Sequence, residues 1–183
     1  MPHVVRTARD GITAMTEAGS GSSPDISVVL PFRNAAGAIA AQLEALARQE
    51  FDGTWEVVAV DNRSEDESRR IAESFSGRLA LRVVEAAERL GAGYARNVGV
   101  RHASAQKLLF VDADDEVAPG YVSTMAAALD RHDFVTSAFD QETLNPEWVR
   151  AAHGPAWRVP DESLPDQFGV RPNAGARDRK SVV

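Results

Sequence analysis

Residues 107–116, Lys-Leu-Leu-Phe-Val-Asp-Ala-Asp-Asp-Glu, join a short apolar run to a cluster of acids. The apolar part is too short for an ordinary helix and is typical of a strand buried in a parallel sheet. Two similar apolar runs, 26–30 and 55–60, stop at Pro31 and Asp61. We therefore predict a parallel sheet in which polar groups follow directly after the strands.

Helical patterns separate these strands. Residues 35–50 repeat apolar side chains at helical spacing, and Ser64-Glu-Asp-Glu67 forms a capping box that predicts the start of a second helix. Strand, helix, strand, helix is the order of parallel strands joined by right-handed crossovers, with helices on both faces. The predicted fold class is therefore α/β, a three-layer α/β/α fold with a mostly parallel central sheet. Further strands are predicted at 79–84 and 133–139, and further helices at 94–103, 119–129 and 145–152.

Length and charge exclude several classes of protein. The chain has 183 residues, which suits one core, and a net charge of -7, which argues against binding duplex nucleic acid. It has no cysteine, and no apolar run approaches the roughly 20 residues of a membrane span. We expect a flexible leader over residues 1–24, an α/β domain over 25–140 and a loop-rich region with a weakly ordered tail over 141–183. A cytoplasmic location fits these features.

The acids Asp112, Asp114, Asp115 and Glu116 are the sharpest chemical signal. Four carboxylates within five residues repel one another unless a cation or solvent intervenes. Oxygen ligands of this kind favour Mg²⁺ or Mn²⁺, which keep several waters and bind diphosphates through one or two carboxylates. The alternative is a solvated acidic turn with an aspartate capping a helix.

Two other groups follow the same logic. Asp61, at a strand end, can accept a hydrogen bond from a base or a ribose hydroxyl, or it can simply form a turn before Ser64. The segment 91–99, Gly-Ala-Gly-Tyr-Ala-Arg-Asn-Val-Gly, opens a helix whose backbone N–H groups can approach an anion. Arg96 would add a fixed cation for phosphate, although such a helix start is often purely structural.

Taken together, the ordered motifs resemble the family 2 glycosyltransferases with the GT-A fold. The matching segments are 27–34 (Ser-Val-Val-Leu-Pro-Phe-Arg-Asn), 56–66 (Glu-Val-Val-Ala-Val-Asp-Asn-Arg-Ser-Glu-Asp), 91–99 and 110–116. The resemblance covers about residues 25–139. It implies an inverting transfer of a sugar from a nucleotide diphosphate donor, most often UDP-linked, to an acceptor hydroxyl, with Mn²⁺ or Mg²⁺ as cofactor.

The resemblance also implies site residues, which are all nucleotide-binding except for one metal ligand. Pro31 and Arg33 would line the base pocket, and Asp61 would bond the base. Arg96 would lie near the base and the phosphates, Asp112 would lie near the ribose, and Asp114 would bind the metal. No catalytic base is assigned, because Asp161, Glu162 and Asp166 are the only acids in a plausible stretch and match no motif.

The donor half of such an enzyme is therefore predicted, with only part of the acceptor half. One alternative is a nucleotide-binding or metal-binding remnant without turnover. A phosphatase-like domain with Asp112 as nucleophile is disfavoured because Glu116 stands where that motif needs a hydroxyl residue. A response-regulator receiver is another alternative, but its order of Asp, Thr and Lys is not evident. Incomplete cover of the sheet would favour a homo-oligomer.

Overall fold

The computed structural model describes residues 23–137, 139–140 and 181–182. The predicted leader, except Ser23 and Pro24, and nearly all of the predicted region 141–183 lie outside the described residues. The strands are β1 (Ile26–Phe32), β2 (Trp55–Asp61), β3 (Leu81–Glu85), β4 (Lys107–Phe110), β5 (Glu116–Val117), β6 (Phe139–Asp140) and β7 (Ser181–Val182). The helices are α1 (Ile39–Ala47), α2 (Ser68–Glu73), α3 (Ala92–His102) and α4 (Tyr121–Leu129).

The central sheet has four strands in the order β3-β2-β1-β4, and all neighbouring strands are parallel. Its two middle strands, β1 and β2, are almost wholly buried, as their unbroken apolar sequence predicts. A small second sheet pairs β7 in parallel with β5 and antiparallel with β6. The carboxyl ends of β1, β2 and β4 therefore lie at one edge of a mostly parallel sheet.

Alternate residues of the middle strands feed two cores, one on each face of the sheet. Val28 and Leu30 pack with residues of α1 and α4, whereas Val29 packs with Ala95 and Val98 of α3. This division confirms the predicted three-layer α/β/α fold, because it places helices on both faces. No helix within the described residues is both long enough and apolar enough to cross a bilayer.

Helix α3 approaches the sheet closely because it carries Gly99 at the contact. A methyl group added there would lie 2.4 Å from Cγ1 of Val29 and 3.1 Å from Cγ2 of Val60. Gly93, six residues nearer the start of the same helix, has no atom within 4 Å of such a methyl group. Gly99 is thus required by packing, while Gly93 is not.

At the amino ends of the strands, Glu56 is a buried carboxylate with several donors. It accepts hydrogen bonds at 2.7 Å from both the Ser27 hydroxyl and the Ser104 backbone N–H, and Nη1 of Arg82 lies 2.7 Å from its Oε2. Burial raises the pKa of Glu56, but these donors outweigh it and hold the pKa below its ordinary value. The network joins β1, β2 and the segment after α3.

Two sequence predictions are wrong in detail. Residues 133–137 form no strand, and β6 begins only at Phe139, in the second sheet. The capping box at Ser64 does not form, because α2 starts at Ser68 without a side-chain cap. The Ser64 hydroxyl instead accepts a hydrogen bond from the backbone N–H of Asn34, 30 residues earlier.

Candidate functional site

The polar strand ends meet where the strand order reverses. β1 is flanked by β2 on one side and by β4 on the other, and Phe32 is level with Asp61 in the register of β1 and β2. In open parallel sheets, ligands bind beyond the carboxyl ends of the strands at such a reversal. The predicted site residues therefore fall where this rule places a ligand.

The acids after β4 form a tight turn. The backbone N–H of Asp115 donates to the carbonyl of Asp112 at 3.3 Å, which closes the turn. Ala113 and Asp115 are buried, whereas Asp112 and Asp114 are exposed. The turn thus buries Asp115 and presents the two carboxylates of the Asp-x-Asp motif to solvent at the edge of the sheet.

Arg96 of α3 contacts this turn directly. Its Nη2 lies 2.5 Å from Oδ1 of Asp112, and their side chains are 36% and 50% exposed. Packing of α3 against the sheet buries Ala95 and Val98, which lie on either side of Arg96 in the sequence. This packing fixes the position from which the Arg96 side chain leaves the helix. The structure therefore brings together a cation and an acid that the sequence places 16 residues apart.

Asp61 ends β2 as a nearly buried carboxylate. Its Oδ1 accepts a hydrogen bond from the Ser64 backbone N–H at 2.9 Å, and Nη1 of Arg69 lies 3.9 Å from its Oδ2. Arg69 also lies 3.8 Å from Oε2 of Glu85, at the end of β3. Asp61 and Arg69 together therefore offer a hydrogen-bond acceptor beside a guanidinium donor.

The loops after β1 and β2 brace each other. The N–H of Asn34 donates to the Ser64 hydroxyl at 3.1 Å, and the N–H of Glu65 donates to Oδ1 of Asn34 at 2.8 Å. Asn34 and Arg63 have φ angles of 49° and 63°, in the left-handed region that non-glycine residues seldom adopt. Reciprocal hydrogen bonds thus hold Asn34, one of these two residues, to the loop that contains the other, Arg63.

Asn62 is a buried residue whose role sequence reasoning missed. Its Nδ2 donates to the carbonyls of Ala86 and Arg89, both at 2.7 Å, and its Oδ1 accepts from the N–H of Gly91 at 2.7 Å. It therefore ties the loop before α3 to the end of β2. An asparagine directly after a strand-end aspartate was the available signal, but its partners lie 24 to 29 residues away.

Gln42 of α1 is a second residue that sequence reasoning missed. It is fully buried, and its side-chain amide bonds to the backbone at Asp112, where the acidic turn begins, and at Val117 of β5, two residues after the turn closes. The sequence signal is a polar residue on the apolar face of α1, between Ile39 and Leu43. Such a residue needs partners elsewhere in the fold, which the helix pattern alone does not identify.

The carboxylates of the acidic turn suit a hard divalent cation that is bound together with a ligand. Among residues 23–137, no three His, Asp or Glu side chains converge as a ready-made metal site. Mg²⁺ and Mn²⁺ do not require one, because they bind through one or two carboxylates plus phosphate oxygens and water. The exposed oxygens of Asp112 and Asp114 suit that mode.

The structure locates the remaining predicted residues without testing their roles. Pro31 is buried within β1, and Arg33 is exposed directly after that strand. Asp161, Glu162 and Asp166 lie outside the described part of the chain.

Comparison with known sequences gives a consistent result. The family model for glycosyl transferase family 2 matches residues 27–173. Poly(ribitol-phosphate) beta-N-acetylglucosaminyltransferase TarS of Staphylococcus aureus is 36% identical over 108 residues, 58% of this chain and 19% of its own length. The glycosyltransferase YibD of Escherichia coli is 31% identical over 149 residues, 78% of this chain and 40% of its own length. The chain thus spans less than half of these relatives.

Solved structures agree in fold. A crystal structure of TarS residues 1–349 with UDP-GlcNAc is 33% identical, with a TM-score of 0.54, over 63% of this chain and 33% of that one. Glucosyl-3-phosphoglycerate synthase of Mycobacterium tuberculosis, solved with Mn²⁺, UDP and glucosyl-3-phosphoglycerate, is 25% identical. Its TM-score is 0.52, over 62% of this chain and 42% of that one. The three-layer α/β/α arrangement of this chain is the GT-A fold of these enzymes.

Proposed function

Because the chain belongs to glycosyl transferase family 2, we propose that it moves a sugar from a UDP-sugar donor to an acceptor hydroxyl. Relatives that share this fold have been solved with UDP-GlcNAc and with UDP and Mn²⁺. The observation that carries the proposal is the contact of Arg96 with Asp112 at the edge where β1 separates β2 from β4. A guanidinium beside exposed carboxylates supplies the charges that a metal diphosphate needs.

The pair of Asp61 and Arg69 supports uracil as the base. The imide edge of uracil offers an N–H donor next to a carbonyl acceptor. Asp61 supplies an acceptor, and the guanidinium of Arg69, 3.9 Å from it, supplies a donor. Cytosine presents an unprotonated ring nitrogen at the position of the imide N–H, so its lone pair would face the carboxylate. Pro31 and Arg33, at the end of the neighbouring strand, would line the same pocket.

The diphosphate end of the donor would lie at the acidic turn. Asp114, with Asp112 close to the ribose, would hold Mn²⁺ or Mg²⁺, and Arg96 would pair with phosphate oxygens. When bound, such a cation offsets the negative charge that grows on the leaving diphosphate. The Asp-x-Asp turn and Arg96 would thus bind and orient the donor.

The proposed reaction inverts the anomeric carbon. The acceptor hydroxyl oxygen attacks that carbon from the face opposite the diphosphate. As the new C–O bond forms, the bond to the diphosphate oxygen breaks, and the diphosphate leaves with the electron pair. A carboxylate takes the hydroxyl proton. We assign that carboxylate to no residue of the described range 23–137.

Calorimetry tests the donor site. UDP is titrated into the wild-type protein with and without Mn²⁺, and then into Asp114→Ala. Asp52→Ala is the matched control, because Asp52 is an exposed acid in the loop before β2, at the opposite end of the sheet. We expect metal-dependent binding that Asp114→Ala loses and Asp52→Ala retains.

The same titration with CDP tests the base pocket. A hydrogen bond to a charged group contributes about 1.5–3 kcal/mol, so UDP should bind roughly 10- to 100-fold more tightly than CDP. Release of free sugar from UDP-sugars, and its transfer when acceptor alcohols are added, then reports turnover. Absence of UDP binding by the wild-type protein with Mn²⁺ would refute the proposed function.

A further inference from the structure

Gln42 is fully buried on α1, and its side-chain amide hydrogen-bonds to the backbone of Asp112, where the acidic turn begins, and of Val117 in β5. Nε2 donates to the carbonyl of Asp112 at 3.2 Å, and Oε1 accepts from the N–H of Val117 at 3.0 Å. The reversed orientation of the amide would set a donor against the Val117 N–H and an acceptor against a carbonyl. Both hydrogen bonds therefore fix one orientation of the side chain.

These two hydrogen bonds connect α1 to both ends of the segment 112–117. The Asp112 carbonyl oxygen also accepts the N–H of Asp115. The same oxygen therefore accepts both the hydrogen bond that closes the turn and the hydrogen bond from Gln42 of α1. Ala113 and Val117 are buried, which leaves the carboxylates of Asp112 and Asp114 pointing outward. The position of those carboxylates relative to the helix layer is thus set through the Gln42 amide.

We propose that Gln42 is a positioning residue of the donor site, which holds the acidic turn in the geometry that binds a divalent cation and a diphosphate. This inference rests on the proposed function. Gln42 lies behind the turn and acts only through its backbone. Groups that orient metal ligands in this indirect way typically change metal affinity by about 10- to 100-fold when they are removed.

A second bridging glutamine provides a matched control. Gln49 is half-buried and lies seven residues further along the chain, just beyond the end of α1. It accepts the N–H of Val122 at 3.1 Å and donates to the carbonyl of Ala118 at 2.9 Å. It makes the same kind of bridge, from the end of the α1 segment to residues 118–122, just beyond the acids. A purely structural role for the two bridging amides predicts similar consequences for both glutamines, whereas our inference predicts different ones.

The test compares Gln42→Met with Gln49→Met, since methionine keeps the length and approximate volume of glutamine without its polar groups. UDP is titrated by calorimetry with Mn²⁺ and again with EDTA. Thermal unfolding of each variant is measured in parallel. Hydrogen exchange of residues 112–117 in the metal-free protein reports the turn without any ligand.

For Gln42→Met we expect about tenfold weaker UDP binding with Mn²⁺, unchanged binding with EDTA, and faster exchange over residues 112–117. Gln49→Met should unfold at a lower temperature than wild type but bind UDP as wild type does. If Gln42→Met does not fold, Gln42→Leu is measured in its place. Should neither fold, the amide is essential to folding and the inference is overturned.

Three results of the titrations would also overturn the inference. They are wild-type metal-dependent binding by Gln42→Met, an equal loss in both glutamine variants, and an equal loss with Mn²⁺ and with EDTA. Failure of the proposed function is separately visible, because the wild-type protein would then show no metal-dependent binding of UDP. Retention of binding in Gln42→Met refutes only the positioning role.

Discussion

Replacement of Gly99 by alanine tests the close packing of α3 on the sheet. The new methyl carbon would lie 2.4 Å from Cγ1 of Val29 and 3.1 Å from Cγ2 of Val60, both on buried middle strands. Neither valine has a flexible end that can swing away, so the helix or the strands must shift. Overpacking of this kind costs about 1–3 kcal/mol. Alanine recovers about 1 kcal/mol of helix propensity.

A contact of 2.4 Å lies far inside the van der Waals distance, so we expect a cost in the upper half of that range, about 2–3 kcal/mol. After the recovery of about 1 kcal/mol, the expected net effect of Gly99→Ala is a loss of about 1–2 kcal/mol in the free energy of unfolding. Gly93→Ala provides the contrast, because nothing lies within 4 Å of its added methyl group. That variant should gain up to about 1 kcal/mol. Urea denaturation of both variants and the wild type, followed by circular dichroism, measures the two changes.

The two substitutions are chemically identical and lie in one helix, so opposite signs can only come from the packing. A Gly99→Ala protein that is as stable as wild type, or more stable, would refute the close approach of α3 to β1 and β2. A loss of similar size in both variants would point instead to a general intolerance of change in α3.

Two further predictions concern buried polar networks. Glu56→Gln should lower the free energy of unfolding at neutral pH by about 1–2 kcal/mol, because it removes the charge that Arg82 pairs with. Since the folded-state pKa of Glu56 lies below its ordinary value of 4.5, its contribution is present above pH 4.5 and is lost as the pH falls through the folded pKa. Urea denaturation from pH 7 to pH 3 should therefore show a weaker pH dependence in the variant, and parallel curves would contradict this. Asn62→Ala removes three hydrogen bonds to residues 86–91 and should cost about 2 kcal/mol, with faster hydrogen exchange in that loop. Unchanged exchange there would show that Asn62 does not hold the loop.

Much of the fold follows from local pattern. Unbroken apolar runs mark β1 and β2, and helical spacing marks α1, because both signals come from residues close in sequence. The predicted strand at 133–139 is wrong because a strand needs a partner backbone, which a β-prone run such as 134–136 does not supply by itself. Phe134 is in fact 66% exposed.

The site was predictable to the extent that it follows the strands. Asp61, Asp112 and Asp114 stand where apolar runs stop, so the topology alone places them at one edge. Gln42 and Asn62 were not predictable in this way, because their meaning depends on backbone groups that folding brings near. Gln42 bonds to residues 70 and 75 positions later in the chain.

The braced loops after β1 and β2 have a consequence for protein engineering. The N–H of Asn34 donates to the Ser64 hydroxyl, and its side chain accepts from the N–H of Glu65, so each loop supplies hydrogen bonds to the other. A chimera that imports one of these loops from a relative would leave the other loop without these hydrogen-bond partners. The two loops form a single exchangeable cassette, although the chain encodes them in separate places.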